Sequence, residues 1–362
     1  MDRESIALKK CVTTIPARID SERSQSSSAR QMPEVSIVLP VFNSGPTLAR
    51  AVDSILGQTL RQIELIVVDD GSTDDTLQVL RQFTDPRMRV IQSTHRNVAD
   101  ATNTAIGLAK SPLIARMDAD DRSHPLRLEK QCHFLTEQNL DGVGCQVHIV
   151  DEMGQPATSM QRYERWINDE TTDSSTIEAL RFVEFPLVNP TILARRRYFE
   201  LGFSFGDFPE DYDLMLRAVN RGMQFGKVNE VLFDWTDGPH RLTRTDSRYS
   251  PAAFNRCRQL HLLQGPLRDV KCVDLWGVGE TGKPWLRWLL DQGITVRWGY
   301  DVNQRKVGEL IHGVRIKAPT QMQPADGTLL IIAVGAWGVR DSITAHLRSH
   351  GYVVGTDAWF VA

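Results

Sequence analysis

Between Val35 and Asp121 an apolar run ending in polar or acidic residues recurs four times, with helical stripes between the runs. No other feature narrows the folds open to this chain as much. Val35–Val41 reads as a buried strand closed by Asn43, Ser44 and Gly45. Leu48, Ala51, Val52, Ile55 and Leu56 then follow at helical spacing, with Pro46 in the first turn and Gly57 at the end. A second strand over residues 63–68 runs into Asp69, Asp70 and Gly71, and a helix should continue to about residue 83. A third strand over 89–92 precedes a helix over 99–109, and a fourth delivers Met117-Asp118-Ala119-Asp120-Asp121. Strands joined by helical crossovers lie parallel, so the spacing predicts an α/β fold with a doubly wound, mostly parallel sheet. Ligands bind such sheets at the carboxyl ends of the strands, where Asn43, Asp70 and Asp118 all fall.

Asp118, Asp120 and Asp121 place three carboxylates within four residues, a costly arrangement without a neutralising cation. Aspartate oxygens are hard ligands suited to Mn²⁺ or Mg²⁺, ions that accompany a substrate diphosphate. Asp121 has a second reading, as a helix cap before Pro125.

The length of 362 residues suggests two domains. The net charge of −3 argues against a nucleic-acid partner held by phosphate neutralisation. Cys11, Cys132, Cys145, Cys257 and Cys272 form no C-x-x-C pair, which fits reduced thiols rather than disulfides or a zinc site. No apolar run approaches the roughly 18 residues needed to span a bilayer, and the N-terminus has no signal-peptide core. The expected location is therefore the cytoplasm, with peripheral contact at the inner face of the membrane. Residues 1–33, rich in serine and without periodicity, read as a disordered tail.

Beyond the fourth strand the pattern is mixed. A helix over 125–137 and a strand over 144–150 are followed by a polar, irregular stretch over 151–175. Phe208-Pro209-Glu210-Asp211-Tyr212-Asp213 then caps a helix ending at Gly222, and a strand over 226–233 leads to a polar loop over 237–244.

The motifs of residues 34–245 resemble a family 2 glycosyltransferase with the GT-A fold. The resemblance rests on Ser36-Ile37-Val38-Leu39-Pro40-Val41-Phe42-Asn43, Val67-Val68-Asp69-Asp70-Gly71-Ser72-Thr73-Asp74, the Asp118 cluster, and Pro209-Glu210-Asp211-Tyr212-Asp213-Leu214. It implies an inverting enzyme of hexosyltransferase type. Such an enzyme moves a sugar from a nucleotide-diphosphate donor, a UDP-sugar by preference, to a hydroxyl of a glycan or lipid-linked acceptor. Surface-polysaccharide or glycolipid assembly is the implied setting.

The resemblance also suggests residue roles. Asp120 contacts the metal directly, Asp118 supports the ribose or a metal-bound water, and Asp121 orients the cluster. Asp70 accepts a hydrogen bond from the base, or else is a turn aspartate bonded to its own backbone. Phe42 stacks on the base, or else is a core aromatic, while Pro40, Val41 and Asn43 line the nucleotide pocket. Asp211 is the general base, a role compatible with capping its helix. Glu210 binds the acceptor or is a solvated loop acid. His240, Arg241 and Arg244 lie where a basic segment would close over the diphosphate, or form a solvated loop. The chain departs from the family pattern at Thr102, where an arginine is expected; Asn103 is kept, and Arg96 is a candidate substitute.

Residues 246–267 read as a helical linker, and residues 268–362 as a smaller Rossmann-like α/β domain. A strand over 272–276 runs into Gly277-Val278-Gly279-Glu280-Thr281-Gly282, and Asp301 ends the next strand. In that context Gly277, Gly279 and Gly282 match a dinucleotide fingerprint, with Asp301 on a ribose. Pro284 rules out a P-loop. The domain is expected either to dock or to bind a nucleotide such as NAD(P). Two alternatives follow: a bifunctional enzyme whose C-terminal domain modifies a sugar with NAD(P), and a non-catalytic nucleotide-sugar-binding protein.

Overall fold

The computed structural model describes residues 32–239, 241–336 and 338–362. Of the expected tail, all but Met32 and Pro33 lie outside the described residues, as do Cys11, His240 and Trp337. The chain divides into two compact units. One gathers the described residues up to Glu164 with Val188–Phe205 and Val228–Arg241; the other gathers Arg165–Leu187, Gly206–Lys227 and Leu242–Ala362.

The first unit is built on a sheet of eight strands among the described residues. These are β1 (Val35–Val41), β2 (Ile63–Asp69), β3 (Met88–Gln92), β4 (Leu113–Arg116), β5 (Arg122–Ser123), β6 (Gly142–Val150), β7 (Leu193–Arg195) and β8 (Phe225–Thr236). Their spatial order is β3-β2-β1-β4-β7-β6-β8-β5. β1 pairs in parallel with β2 and β4, and β2 with β3; β7 runs antiparallel to β4 and β6, and β5 to β8. The sheet is thus mixed, with the expected parallel half at its N-terminal end.

β1 and β2 are buried along their whole lengths, which is why both read as mainly apolar runs rather than alternating ones, and the buried Ser36 hydroxyl donates to the buried Glu64 carboxylate at 2.6 Å. The helix Gly45–Leu56 turns Leu48, Ala51, Val52 and Ile55 inward, all fully buried. Burial of Leu48, Val52 and Ile55 contributes about 1.5–3 kcal/mol each. Strand order reverses at β1, with β2 on one side and β4 on the other, so the loops after these strands open a crevice at their carboxyl ends.

The stretch expected to be irregular over 151–175 differs. It contains the whole helix Gln161–Asp169 and the start of Ser174–Leu180. Trp166, Ile167 and Ile177 are buried, but each helix offers so few apolar positions among charges that no stripe is visible.

The second unit holds a six-stranded sheet among the described residues: β9 (Cys272–Trp276), β10 (Thr295–Tyr300), β11 (Leu310–Ile311), β12 (Val314–Lys317), β13 (Leu329–Ile332) and β14 (Ala358–Phe360). The order is β11-β12-β10-β9-β13-β14, parallel except for the β11–β12 hairpin. The last strand is Ala358–Phe360 and not the apolar pair Tyr352 and Val353 that precedes it. Gly355 has φ +91°, and the Asp357 carboxylate accepts the Val353 N–H at 2.6 Å, so that segment turns and Ala358–Phe360 pairs with β13 instead. The helix Ser174–Leu180 also belongs to this unit: Arg181, just beyond it, lies over the Trp359 ring at 4.2 Å. Among the described residues no helix is long and apolar enough to cross a membrane.

Candidate active site

After β4, Met117 donates its N–H to the Val38 carbonyl at 3.1 Å, and the chain then turns through Asp118–Asp121. The Asp118 carboxylate lies 2.7 Å from the Arg116 guanidinium. Asp120 accepts hydrogen bonds at its backbone carbonyl from Arg50 at 2.7 Å and from the Thr236 hydroxyl at 2.6 Å, which fixes the turn and leaves the carboxylate for other work. Asp121 is buried; its Oδ1 accepts the Thr236 N–H at 2.8 Å and its Oδ2 has no hydrogen-bond partner. The cap reading of Asp121 is corrected here. The following helix starts at Arg127 with Leu126 at its cap, and Asp121 ties the turn to β8 instead.

Burial and the neighbouring Asp118 charge push the Asp120 carboxyl up to about 6, against the pull of Arg241 and Arg116. Burial, then Asp120 and Asp118, push Asp121 well above the usual carboxylate range. An acid cluster with an unpartnered buried oxygen suits a hard divalent cation, which would relieve both the repulsion and the orphaned atom. Asp118 and Asp120 would hold it, with Asp121 behind them.

At the end of β1, Asn43 takes a left-handed conformation (φ 48°) and binds the next loop in both directions. Its N–H donates to Ser72 Oγ at 2.9 Å, and its side-chain oxygen accepts the Thr73 N–H at 2.8 Å. Pro40 and Val41 are buried in the strand, and the Val41 carbonyl accepts the Asp70 N–H at 2.9 Å. Asp70 is not bonded to its own turn. Its carboxylate accepts the Arg96 N–H at 3.1 and 3.2 Å and stands 3.0 Å from His95 Nδ1. Burial raises its pKa despite these partners. Phe42 is 43% exposed, not core, and stacks on the His95 imidazole at 4.1 Å between ring centres.

His95 therefore joins Phe42 and Asp70 in one wall, a residue that sequence reasoning did not single out. Gly71 makes this approach feasible: it has φ +77°, and a Cβ there would lie 2.9 Å from the His95 nitrogen. Asn103 holds the Phe203 backbone through both ends of its amide, at 2.8 and 2.9 Å, so its role in this unit is to anchor that segment.

Arg241 stacks over Trp235 at 4.1 Å and pairs with Asp237 at 3.2 Å, and its charge reaches Asp120 and Asp121. Arg244 is exposed in the short helix Leu242–Thr245, which belongs to the second unit.

Glu210 and Asp211 open the helix Glu210–Val219, also in the second unit, with Pro209 at the cap position. Asp211 thus lies within the first turn, half-buried, with Oδ1 accepting the Tyr212 N–H at 2.7 Å. Glu210 is not a solvated loop acid. It is buried, and both its oxygens accept from the Tyr249 hydroxyl, at 2.8 and 2.7 Å, with Arg248 at 3.7 Å. Burial first, then the Glu210 charge, drive the Tyr249 hydroxyl pKa far upward, so Tyr249 remains a donor. One turn on, Asp213 is buried between Arg217 at 2.8 Å and His261 at 2.9 Å. Gly277, Gly279, Gly282 and Asp301 cluster at the carboxyl end of β9 and β10 in the same unit.

Known proteins resemble the chain in this region. Residues 36–209 match the family model for glycosyl transferase family 2. The putative glycosyltransferase EpsE of Bacillus subtilis is 29% identical over 66% of this chain and 85% of its own length. The Escherichia coli protein described as UDP-Glc:alpha-D-GlcNAc-diphosphoundecaprenol beta-1,3-glucosyltransferase WfaP is 35% identical over 29% of this chain, a match spanning 43% of that protein. The crystal structure of S. aureus TarS 1-349 superposes with a TM-score of 0.50 at 19% identity, over 65% of this chain and 66% of that one, which is a likeness of fold. With the Asp118 cluster in place, the match makes residues 36–209 of this chain a glycosyl transferase family 2 region.

Proposed function

We propose that the enzyme transfers a hexose, with inversion, from a UDP-sugar to a hydroxyl of a glycan or lipid-linked acceptor, in the assembly of a surface polysaccharide or glycolipid. The buried carboxylate turn carries this reading: Asp121 has an unpartnered oxygen and Asp120 a raised pKa, the state expected of a cation site. The description of WfaP, with a UDP-glucose donor and a diphosphoundecaprenol-linked acceptor, supports the donor and acceptor classes.

In this mechanism the uracil lies against Phe42 and His95, with the base N–H donating to Asp70. Asp118 and Asp120 would hold Mn²⁺ or Mg²⁺, a Lewis acid that would supply positive charge to offset the charge developing on the departing diphosphate. Arg241 adds a guanidinium suited to phosphate oxygens, and Arg244 extends the same basic segment. Asp211 accepts the proton of the acceptor hydroxyl as its oxygen bonds to the anomeric carbon. The bond from that carbon to the diphosphate breaks on the opposite side, and the configuration inverts. Glu210 keeps Tyr249 and Arg248 beside the base, a positioning role that replaces the direct acceptor contact expected for it.

Asp211→Asn tests the assignment. Turnover should fall by about 10²–10⁴ while metal-dependent UDP binding stays unchanged. Turnover equal to that of the parent would remove Asp211 from the reaction.

A further inference from the structure

The second unit carries a cavity that the transfer reaction does not use. Its sheet reverses strand order at β9, with β10 and β12 on one side and β13 and β14 on the other. A sheet wound this way opens a crevice at the carboxyl ends of its strands where the order reverses. There a cavity of about 540 Å³ is walled by the loop Gly277–Thr281, by Gly335 after β13, and by Val302 and Lys306 after β10.

The three glycines of the loop are needed for different reasons. Gly277 has φ +97°, and a Cβ there would lie 2.6 Å from the Ala333 carbonyl oxygen. A Cβ on Gly282 would lie 1.8 Å from the Gly277 carbonyl oxygen, so only glycine lets the helix Gly282–Asp291 start this close to the loop. Gly279 has no such constraint. A Cβ there would meet only the Lys306 ammonium, at 3.7 Å. Packing explains two of the glycines; the third keeps the backbone bare on the cavity side. A bare backbone at the start of a ten-residue helix is how a phosphate is approached closely.

Lys306 supplies the matching charge. Its ammonium lies 2.7 Å from Asp301 Oδ2, an oxygen that also accepts the Val278 N–H at 3.2 Å. Asp301 Oδ1 accepts the Asn303 N–H at 2.8 Å. The acid that the sequence places on a ribose is thus engaged in holding the cation and the loop. Val302, 73% exposed on the cavity wall, offers an apolar platform at the rim.

We propose that this cavity binds a nucleoside diphosphate ester, with the diphosphate against Gly279 and Lys306 and the base on Val302. Its occupant is either a nucleotide-sugar or an adenine dinucleotide, which share this chemistry.

Isothermal titration of the full chain in EDTA, with UDP-glucose and separately with NAD, tests the proposal. Chelation removes the metal-dependent contribution of the Asp118 turn. One of the two probes should bind, and which one names the occupant. Gly279→Val fills the cavity side of the loop without meeting backbone, and Lys306→Gln removes the charge. Each should weaken binding by about tenfold or more, the effect of losing a charge-assisted hydrogen bond, in protein that melts as the parent does. If Gly279→Val fails to fold, Lys306→Gln decides alone. Absence of binding by both probes, or binding that survives the substitutions, would overturn the site.

Discussion

Asp120 and Asp121 are ionisable groups buried beside like charge, and their behaviour follows from that placement. The Asp120 carboxyl ordinarily titrates at 3.8 and in the folded chain is pushed up to about 6. A raised carboxyl pKa means that the folded state holds the proton more tightly than the unfolded state. Its contribution to stability is therefore full below 3.8 and is lost as pH rises through about 6. A divalent cation acts in the opposite sense, because it binds the ionised cluster. Mn²⁺ should raise the melting temperature more at pH 7.5 than at pH 5, and the difference should vanish in Asp120→Asn. An equal rise at both pH values would contradict the account. At Glu210 the prediction concerns packing. Tyr249→Phe removes the hydroxyl that both carboxylate oxygens accept and should cost about 1–3 kcal/mol, read as a lower denaturant midpoint. An unchanged midpoint would show that Arg248 suffices.

Among the elements, those that sequence made legible carry their hydrophobic signal within one stretch of chain. β1 runs Val35–Val41 as read, and the helix Gly45–Leu56 buries the stripe that its spacing announces. Ile55→Ala on its buried face should therefore cost about 2–5 kcal/mol in chemical denaturation, whereas Asp53→Ala on the exposed face should stay within about 0.5 kcal/mol. Similar losses at the two positions would contradict the burial described here. Elements whose reason for being lies far away in sequence were not legible. The helix Gln161–Asp169 buries only Trp166 and Ile167. The final strand is set by pairing with β13, and the sequence before it, with its own apolar residues Tyr352 and Val353, is diverted by the turn at Gly355.

For the whole molecule the same division holds at the site. Asp70, Asp118 and Asp120 were readable because strand ends in a doubly wound sheet converge. His95 was not, since nothing in the local sequence announces that it stacks on Phe42, 53 residues earlier in the chain. Thr236 was equally hidden: its backbone and hydroxyl hold the acid turn from the far end of β8. Chemistry set by a motif can be read from its letters, whereas the partners that orient it come from tertiary contact.

The central claim is that the Asp118–Asp121 turn binds a divalent ion together with a nucleoside diphosphate. The most direct test is a thermal-shift series with UDP, GDP, dTDP and CDP, each with Mn²⁺ and with EDTA, on the parent chain and on Asp120→Asn. Held at 100 times its Kd, a ligand stabilises the fold by about 2.7 kcal/mol, a rise of about 5–10 °C for a domain of this size. The account predicts such a rise for UDP with Mn²⁺, its loss in EDTA, and its loss in Asp120→Asn. A UDP shift of the same size in EDTA, or none with any of the four diphosphates, would contradict it.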